Sequence, residues 1–151
     1  MLIGIGSDHG GFNLKSEIIK FLKEKGYEIK DFGTCSADSV DYPDYGRAVA
    51  EAVSNGECEK GIIICGTGIG ISIAANKVNG IRAALCTDSF MAKMARAHNN
   101  SNILALGERV LGIGSALDIV EVWLNTEYEA GRHQLRLDKI ADIEEKYNKE
   151  Q

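Results

Sequence analysis

An uninterrupted apolar run, Gly61-Ile62-Ile63-Ile64-Cys65, is the feature that most constrains the fold of this chain. A run of this length with no polar break is typical of a central strand that is buried on both faces of its sheet. Such sheets are parallel and are covered by helices on each side. The run therefore predicts an α/β protein.

Apolar runs alternate with helical patterns along most of the chain. Strands are predicted at 2–6, 27–32, 61–65, 82–86 and 103–106, and helices at 14–25, 44–54, 71–77, 89–97 and 115–124. The second helix should begin near Asp44 with Tyr42 extended, because a proline such as Pro43 disfavours helix in the residue before it. The alternation predicts a three-layer α-β-α fold, with a five-stranded parallel sheet and helices on both faces.

A further, charged helix is predicted after Gly131, at the C-terminal end of the chain. Its apolar residues are separated by Lys, Asp and Glu, and they are Leu135, Leu137, Ile140, Ile143 and Tyr147. This is more apolar surface than a free helix normally exposes. We therefore expect this extra helix to pack on a partner subunit.

Length and composition indicate one soluble domain over residues 1–151, with 44% hydrophobic and 26% charged residues. The sequence shows no leader and no apolar run of the roughly 20 residues that cross a bilayer, so a cytoplasmic protein that does not contact membranes is expected. Its four cysteines lack CxxC spacing, which predicts free thiols and no metal site. The net charge of −5 argues against general nucleic-acid binding.

Polar and glycine residues follow several of the predicted strands. Parallel sheets bind ligands beyond the carboxyl ends of their strands. Asp8 and His9, the segment Cys65 to Gly70, and Arg109 should therefore lie along one edge of the sheet.

The segment Gly66-Thr67-Gly68-Ile69-Gly70 predicts an anion-binding turn before a helix. Alternating glycines let successive N–H groups converge at the positive end of that helix. The spacing differs from the dinucleotide GxGxxG and from the P-loop, so neither NAD nor ATP is indicated. A simple tight turn from strand to helix is the alternative interpretation.

Cys65 comes directly before these glycines. Clustered N–H donors stabilise a thiolate, which would make Cys65 a base or a nucleophile. The alternative is a small buried residue that completes the strand, which is how we interpret Cys35, Cys58 and Cys86.

Five other positions have both a chemical and a structural interpretation. Asp8 could bind hydroxyls or cap a helix. His98 could transfer protons near neutral pH or cap the C-terminus of a helix. Arg132 and Arg136, four residues apart on one helix face, could bind a phosphate or form ion pairs with Asp138 or Glu129; Arg109 is similarly open.

Taken together, these motifs resemble the ribose-5-phosphate isomerase B family and its galactose-6-phosphate and allose-6-phosphate isomerase relatives. The matching segments span nearly the whole chain and are Gly6-Ser7-Asp8-His9, Asp41-Tyr42-Pro43, Cys65 to Lys77, Gly80-Ile81-Arg82-Ala83, His98-Asn99, Gly107-Glu108-Arg109 and Gly131-Arg132-His133.

The resemblance implies a Rossmann-like sheet, no metal or organic cofactor, and a homodimer with shared active sites, with a tetramer as the alternative assembly. It implies an aldose–ketose isomerase of the non-oxidative pentose phosphate pathway that interconverts D-ribose 5-phosphate and D-ribulose 5-phosphate through an enediolate. A six-carbon sugar phosphate is the alternative substrate. Some members use a glutamate as base, but Ala74 stands at that position here, so the cysteine branch applies.

The resemblance also implies residue roles. Cys65 would be the proton-transfer base and His98 would open the sugar ring, with Thr67 and Asp8 in the catalytic set. The loop from Gly66 through Thr67, Gly68 and Ile69 to Gly70 would hold the enediolate oxygen. The hydroxyls and the phosphate would be bound by Asp8, His9, Tyr42, Asn99, Arg109, Arg132 and Arg136.

Two rival functions are kept. A phosphate-binding module without catalysis would tolerate alanine at Cys65 and gives no reason for His98. A cysteine-dependent hydrolase or transferase would use the thiolate as a nucleophile, but the chain lacks an evident Cys-His-Asn order.

Overall fold

The computed structural model describes residues 1–148, in which five strands alternate with five α-helices and a sixth α-helix follows the fifth directly. The strands are β1 (Leu2–Ser7), β2 (Glu28–Asp31), β3 (Lys60–Cys65), β4 (Ala83–Leu85) and β5 (Ile103–Gly107). The helices are α1 (Phe12–Glu24), α2 (Tyr42–Ser54), α3 (Ile69–Ala75), α4 (Ser89–Ala97), α5 (Ile113–Asn125) and α6 (Arg132–Tyr147). A 3-10 turn, His9–Gly11, leads into α1.

The strands form one parallel sheet in the order β2-β1-β3-β5-β4. Strand β3 lies at its centre, in register with β1 from Ile3 opposite Lys60 and with β5 from Gly61 opposite Ile103. This confirms the predicted three-layer fold with its Rossmann-like sheet and additional C-terminal helix.

Alternate residues of the central strand enter two separate cores. Ile62 and Ile64 pack beneath α1, α4 and α5, in a cluster that includes the fully buried Trp123. Ile63 and Cys65 point to the other face and pack against α2 and α3. Burial on both faces explains why the run from Gly61 to Cys65 in this strand carries no charged side chain.

Several helices begin two residues earlier than predicted, and the start of α2 is the one for which a specific conformation was expected. This helix begins at Tyr42 rather than near Asp44, and Asp41 is its N-cap residue. Pro43 falls in the first turn, where the missing N–H would have no helical partner and proline is tolerated. The prediction that Tyr42 is extended was therefore wrong.

Helix α6 leaves most of its apolar side chains exposed. Leu137 is buried, but Leu135, Ile140, Ile143 and Tyr147 are between 49% and 64% exposed. Among residues 1–148, no helix is both long and apolar enough to cross a membrane.

Candidate active site

The glycine loop contacts the sulfur of Cys65 through a main-chain amide. The Gly68 N–H donates to Cys65 Sγ at 3.1 Å, and Cys65 itself is 5% exposed. Gly68 has φ +81°, a left-handed conformation that favours glycine, and it precedes the first residue of α3. The sulfur is therefore turned toward the loop and the helix N-terminus, as the predicted thiolate site requires.

The segment that follows β5 holds this loop in place. Glu108 N–H donates to the Cys65 carbonyl and Arg109 N–H donates to the Gly66 carbonyl, both at 3.0 Å. A methyl group on Gly107 would lie 2.5 Å from the Thr67 carbonyl oxygen, so only glycine allows this approach. The loop is fixed by main-chain contacts on a second strand end.

Asp8 lies against the same loop from the other side. Its amide donates to the Ile64 carbonyl at 3.3 Å, and its Oδ1 accepts from Gly10 N–H at 2.9 Å. The backbone of Gly10 in turn approaches Gly66, because a methyl group on Gly10 would lie 3.2 Å from the Gly66 nitrogen. Asp8 thus caps the 3-10 turn and borders the thiol site at once.

The Tyr42 and Arg109 side chains also lie against this loop, and His9 precedes Gly10 in the 3-10 turn. A methyl group on Gly70 would lie 2.7 Å from the Tyr42 ring, and one on Gly66 would lie 3.0 Å from the Arg109 guanidinium. His9 Nδ1 accepts the Val40 N–H at 3.2 Å, which connects the loop before α2 to the site. We call the assembly of Asp8, His9, Tyr42, Cys65 to Gly70 and Arg109 the thiol edge.

The remaining cysteines are poor candidates for the base. Burial, with the charge of Asp88, raises the pKa of the Cys86 thiol to about 12, and burial also raises the pKa of Cys58. Cys35 is exposed on a loop. Only the sulfur of Cys65, of the four, receives a loop amide among the described contacts.

His98 lies at the opposite end of the sheet from Cys65, near the amino ends of the strands. It is the C-cap residue of α4, and its N–H donates to the Met94 carbonyl at 2.9 Å. Shortly after it, Asn102 N–H bonds to the Arg82 carbonyl at 3.1 Å and its own carbonyl accepts from Gly61 N–H at 3.0 Å, which places this segment at the amino ends of the strands. Four residues of β3, about 13 Å along the strand, separate Gly61 from Cys65.

His98 has two polar neighbours there. Its ring stacks on that of His133 with centroids 4.1 Å apart, and Glu129 Oε1 lies 3.8 Å from His98 Nε2 and 3.7 Å from His133 Nε2. Desolvation and the charge of His98, together with Arg132, lower the pKa of His133. We call the assembly of His98, Asn99, Glu129, Arg132 and His133 the histidine edge.

The candidate phosphate-binding arginines have no acidic partner. Within residues 1–148, Arg109, Arg132 and Arg136 form no ion pair with a carboxylate, and all three are exposed. The ion pairs considered for Arg132 and Arg136 with Asp138 or Glu129 are therefore not formed. Three guanidinium groups remain available to an anion.

Comparison with known proteins identifies the family. The model of the Ribose/Galactose Isomerase family matches residues 3–140. The chain belongs to this family. It is 66% identical to the ribose-5-phosphate isomerase B of Clostridium thermocellum, whose structure superposes with a TM-score of 0.97 over 98% of this chain and 100% of that one.

Two other members share about half of their residues with this chain. Ribose-5-phosphate isomerase B of Escherichia coli strain K12 is 51% identical, over 97% of this chain and 98% of its own length. The structure of ribose 5-phosphate isomerase from Thermotoga maritima is 48% identical with a TM-score of 0.91, over 93% of this chain and 97% of that one. The resemblance to sugar-phosphate isomerases that the sequence motifs indicated is confirmed.

Within one chain, the family motifs are divided between the thiol edge and the histidine edge. Those at the thiol edge lie together, whereas His98, Asn99 and Arg132 lie at the histidine edge, with Arg136 one helical turn further along α6. A single chain therefore does not bring Cys65 and His98 into one site.

Sequence reasoning assigned Glu108 no role of its own and suggested Glu129 only as an ion-pair partner of the arginines, yet the structure places both beside the motifs. Glu108 Oε1 accepts the Leu14 N–H at 2.7 Å and so joins the β5 end to α1. Glu129 contacts both histidines, and its spacing of four residues from His133 was the available signal.

Proposed function

We propose that this chain interconverts D-ribose 5-phosphate and D-ribulose 5-phosphate in the cytoplasm, as a single catalytic domain over residues 1–151. The observation that carries the proposal is the 3.1 Å contact from Gly68 N–H to Cys65 Sγ, at the carboxyl end of the central strand. Membership of the isomerase family supports it, as do the names of the close relatives.

Cys65 acts as the base of the reaction. Its thiolate takes the proton from C2 of the open-chain aldose, the C–H electrons form the C1–C2 double bond, and O1 becomes an enediolate oxygen. Return of a proton to C1, with loss of the proton on O2, gives the ketose. Amides of the loop from Gly66 to Gly70 stabilise the charged oxygen, and one such donor typically contributes about 3 kcal/mol.

Asp8 and Thr67 can exchange protons with the two substrate oxygens O1 and O2. Asp8 uses Oδ1 to accept the Gly10 amide, so Oδ2 is the oxygen that can accept a substrate hydroxyl. Thr67 is exposed at the loop, where its Oγ1 accepts the Ile69 N–H at 3.2 Å and its hydroxyl hydrogen can be donated. We assign these two groups to the proton exchange between O1 and O2.

The active site is shared between two subunits. A five-carbon sugar phosphate is too short to reach from the thiol edge to the histidine edge of one chain, about 13 Å away along β3. We therefore propose a homodimer in which His98 of one protomer opens the ring of a sugar held at the Cys65 of its partner. The exposed apolar side chains of α6 suit such an interface. A tetramer built from these dimers is the alternative assembly.

The phosphate and the hydroxyls are bound from both edges. His9, Tyr42 and Arg109 contribute from the thiol edge, and Asn99, Arg132 and Arg136 from the other protomer. Guanidinium groups without acidic partners suit a dianionic phosphate, because one guanidinium group can donate two parallel hydrogen bonds to two phosphate oxygens. Binding of the phosphate and hydroxyls would orient the reacting carbons. In well-ordered sites such orientation can lower the activation barrier by about 7 to 11 kcal/mol.

The Cys65→Ala variant tests the base. We expect it to lose isomerisation of ribose 5-phosphate, measured by ribulose 5-phosphate formation, while calorimetry still detects sugar phosphate binding. Cys86→Ala is the matched control, since Cys86 is a buried thiol at the end of β4 with no loop amide on its sulfur. Near-normal turnover by Cys65→Ala would refute the assignment of the base. Substrate choice is tested separately on the unmodified enzyme, where preferential turnover of allose 6-phosphate or galactose 6-phosphate would establish the six-carbon alternative.

The His98→Asn variant tests ring opening. An aldotetrose 4-phosphate cannot close a furanose because its O4 carries the phosphate, so it needs no ring opening. We expect His98→Asn to reduce kcat/KM for ribose 5-phosphate much more than for this four-carbon substrate. Equal losses on the two substrates would assign His98 to another role.

A further inference from the structure

The histidine edge holds three potential metal ligands around one point. Glu129 Oε1 lies 3.8 Å from His98 Nε2 and 3.7 Å from His133 Nε2, and one ligand atom from each residue lies within 4.8 Å of the others. Both nitrogens therefore lie near the same carboxylate oxygen. We propose that His98, Glu129 and His133 bind a divalent transition metal ion of the zinc class, which competes with the use of His98 in catalysis.

The ligand atoms are too far apart for hydrogen bonds and slightly further apart than the ligand atoms of a zinc complex. Separations of 3.7 and 3.8 Å exceed hydrogen-bond distance. Ligand atoms bound to tetrahedral zinc at about 2.0 to 2.2 Å lie about 3.3 to 3.5 Å from each other. Because the two imidazole rings are stacked, with centroids 4.1 Å apart and planes 16° apart, the partly exposed His98 ring must turn out of the stack before both in-plane lone pairs can reach one ion.

The donor set selects the metal. Two imidazole nitrogens and one carboxylate favour zinc, nickel, copper or cobalt over magnesium and calcium, which prefer oxygen ligands. This is also a donor set of catalytic zinc sites, in which three protein ligands leave one position for water. The exposed fractions of the His98 and Glu129 side chains, 37% and 59%, leave an open route to that position.

The surroundings of the site fix two of its ligands in place but also lower its affinity for a cation. The Glu129 N–H donates to the Ala97 carbonyl at 3.0 Å, and the buried His133 ring lies on the first turn of α6, so two of the ligands are fixed by the fold. Arg132 and Arg136 bring positive charge close to the site and oppose a cation. The affinity should therefore be moderate, as expected for an inhibitory rather than a resident ion.

Occupancy would remove His98 from catalysis. A metal-bound imidazole nitrogen has no lone pair with which to accept a proton, so zinc should inhibit ring opening and a chelator should restore activity. This effect rests on the proposed function, whereas the metal site itself does not.

The direct test is titration of tag-free, chelator-treated protein with Zn²⁺ by calorimetry, and with Co²⁺ by visible absorption. We expect one ion per chain. Glu129→Ala and His133→Gln should each weaken Zn²⁺ binding at least tenfold, since each removes one of three ligands. Glu127→Ala is the control, because Glu127 is an exposed glutamate two residues away. Glu129→Ala keeps the test valid if the His133 variant fails to fold, since the Glu129 side chain is exposed.

The Cys65→Ala variant separates this site from the thiols and from the proposed function. It should be inactive and still bind Zn²⁺ with unchanged affinity, and Co²⁺ should show no thiolate charge-transfer band. Zinc binding that is lost in Cys65→Ala, or that is unchanged in Glu129→Ala, would overturn the proposal. Binding without inhibition of the wild-type enzyme would support the site and contradict the catalytic role of His98 instead.

Discussion

The Lys15 ammonium binds both carboxylate oxygens of Asp31, at 2.7 and 2.8 Å. Lys15 lies on α1 and is 2% exposed, whereas Asp31 ends β2 and its side chain is 43% exposed. Asp31 Oδ1 also accepts the Gly33 N–H at 2.9 Å, at the start of the loop that carries Val40 toward His9. The pair thus joins a helix, an edge strand and a loop that borders the thiol edge.

The two members of this pair should differ in their effect on stability when replaced. Asp31→Asn leaves a buried ammonium without its counter-charge and should lower the free energy of unfolding by about 3 kcal/mol. Lys15→Met leaves a carboxylate that water can reach and should cost about 1 kcal/mol. Urea denaturation measures both. Glu57→Gln, in the exposed Lys30–Glu57 pair, is the control and should change stability by less than about 0.5 kcal/mol; equal losses for Asp31→Asn and Lys15→Met would contradict this account.

Gly107 should be essential for the shape of the glycine loop. A methyl group there would lie 2.5 Å from the Thr67 carbonyl oxygen, so Gly107→Ala must displace the loop that holds Cys65. Misplacement of about 1 Å can cost roughly 100-fold in rate, and we expect a loss of that size in kcat/KM. Gly114→Ala is the matched control, since a methyl group on Gly114 meets nothing within 4 Å. A fully active Gly107→Ala enzyme would show that the loop tolerates displacement.

The Cys86 thiol should make stability fall at high pH. Burial and the charge of Asp88 raise the pKa of Cys86 from 9.0 to about 12, so the unfolded chain loses this proton first. Stability from this group is complete below about pH 9 and declines as pH rises toward 12, by at most about 1.4 kcal/mol per pH unit.

Variants isolate this contribution from other groups that titrate in the same range. Cys86→Ala should flatten the decline of the urea midpoint between pH 9 and 11, because the side chain that titrates is gone. Cys35→Ala removes an exposed thiol and should leave the slope as in the wild type. A Cys86→Ala slope indistinguishable from the wild type would show that this thiol does not control alkaline stability.

The fold could be predicted because its signals are local and agree with each other. The run from Gly61 to Cys65 is central in the sheet and buried on both faces, as its lack of polar residues required. The predicted bounds of α4, Ser89–Ala97, match the structure. The start of α2 was missed because a proline disfavours helical conformation in the residue before it. Tyr42 is nevertheless helical, since it is the first residue of the helix.

The arrangement of the candidate site depends on topology rather than on motifs. Asp8 and Cys65 could be placed together because both lie at the carboxyl ends of strands in a parallel sheet. His98 follows a helix, and helices run antiparallel to the strands they connect, so it lies at the other edge. Nothing in the local sequence records that separation, and the contact of Glu129 with two histidines arises only when α6 folds back on α4.

A mixture of two inactive variants tests whether the active site is shared. Cys65→Ala lacks the base and His98→Asn lacks the ring-opening group, so each homodimer should be inactive on ribose 5-phosphate. In a mixed dimer, the intact Cys65 of one protomer faces the intact His98 of its partner, and one of the two sites is complete. Random exchange after unfolding and refolding together should restore about a quarter of wild-type activity, because half the dimers are mixed. The same procedure on each variant alone is the control. Activity that stays at the level of the separate variants, with mixed dimers confirmed by mass spectrometry, would mean that Cys65 and His98 do not serve one site across the subunit boundary.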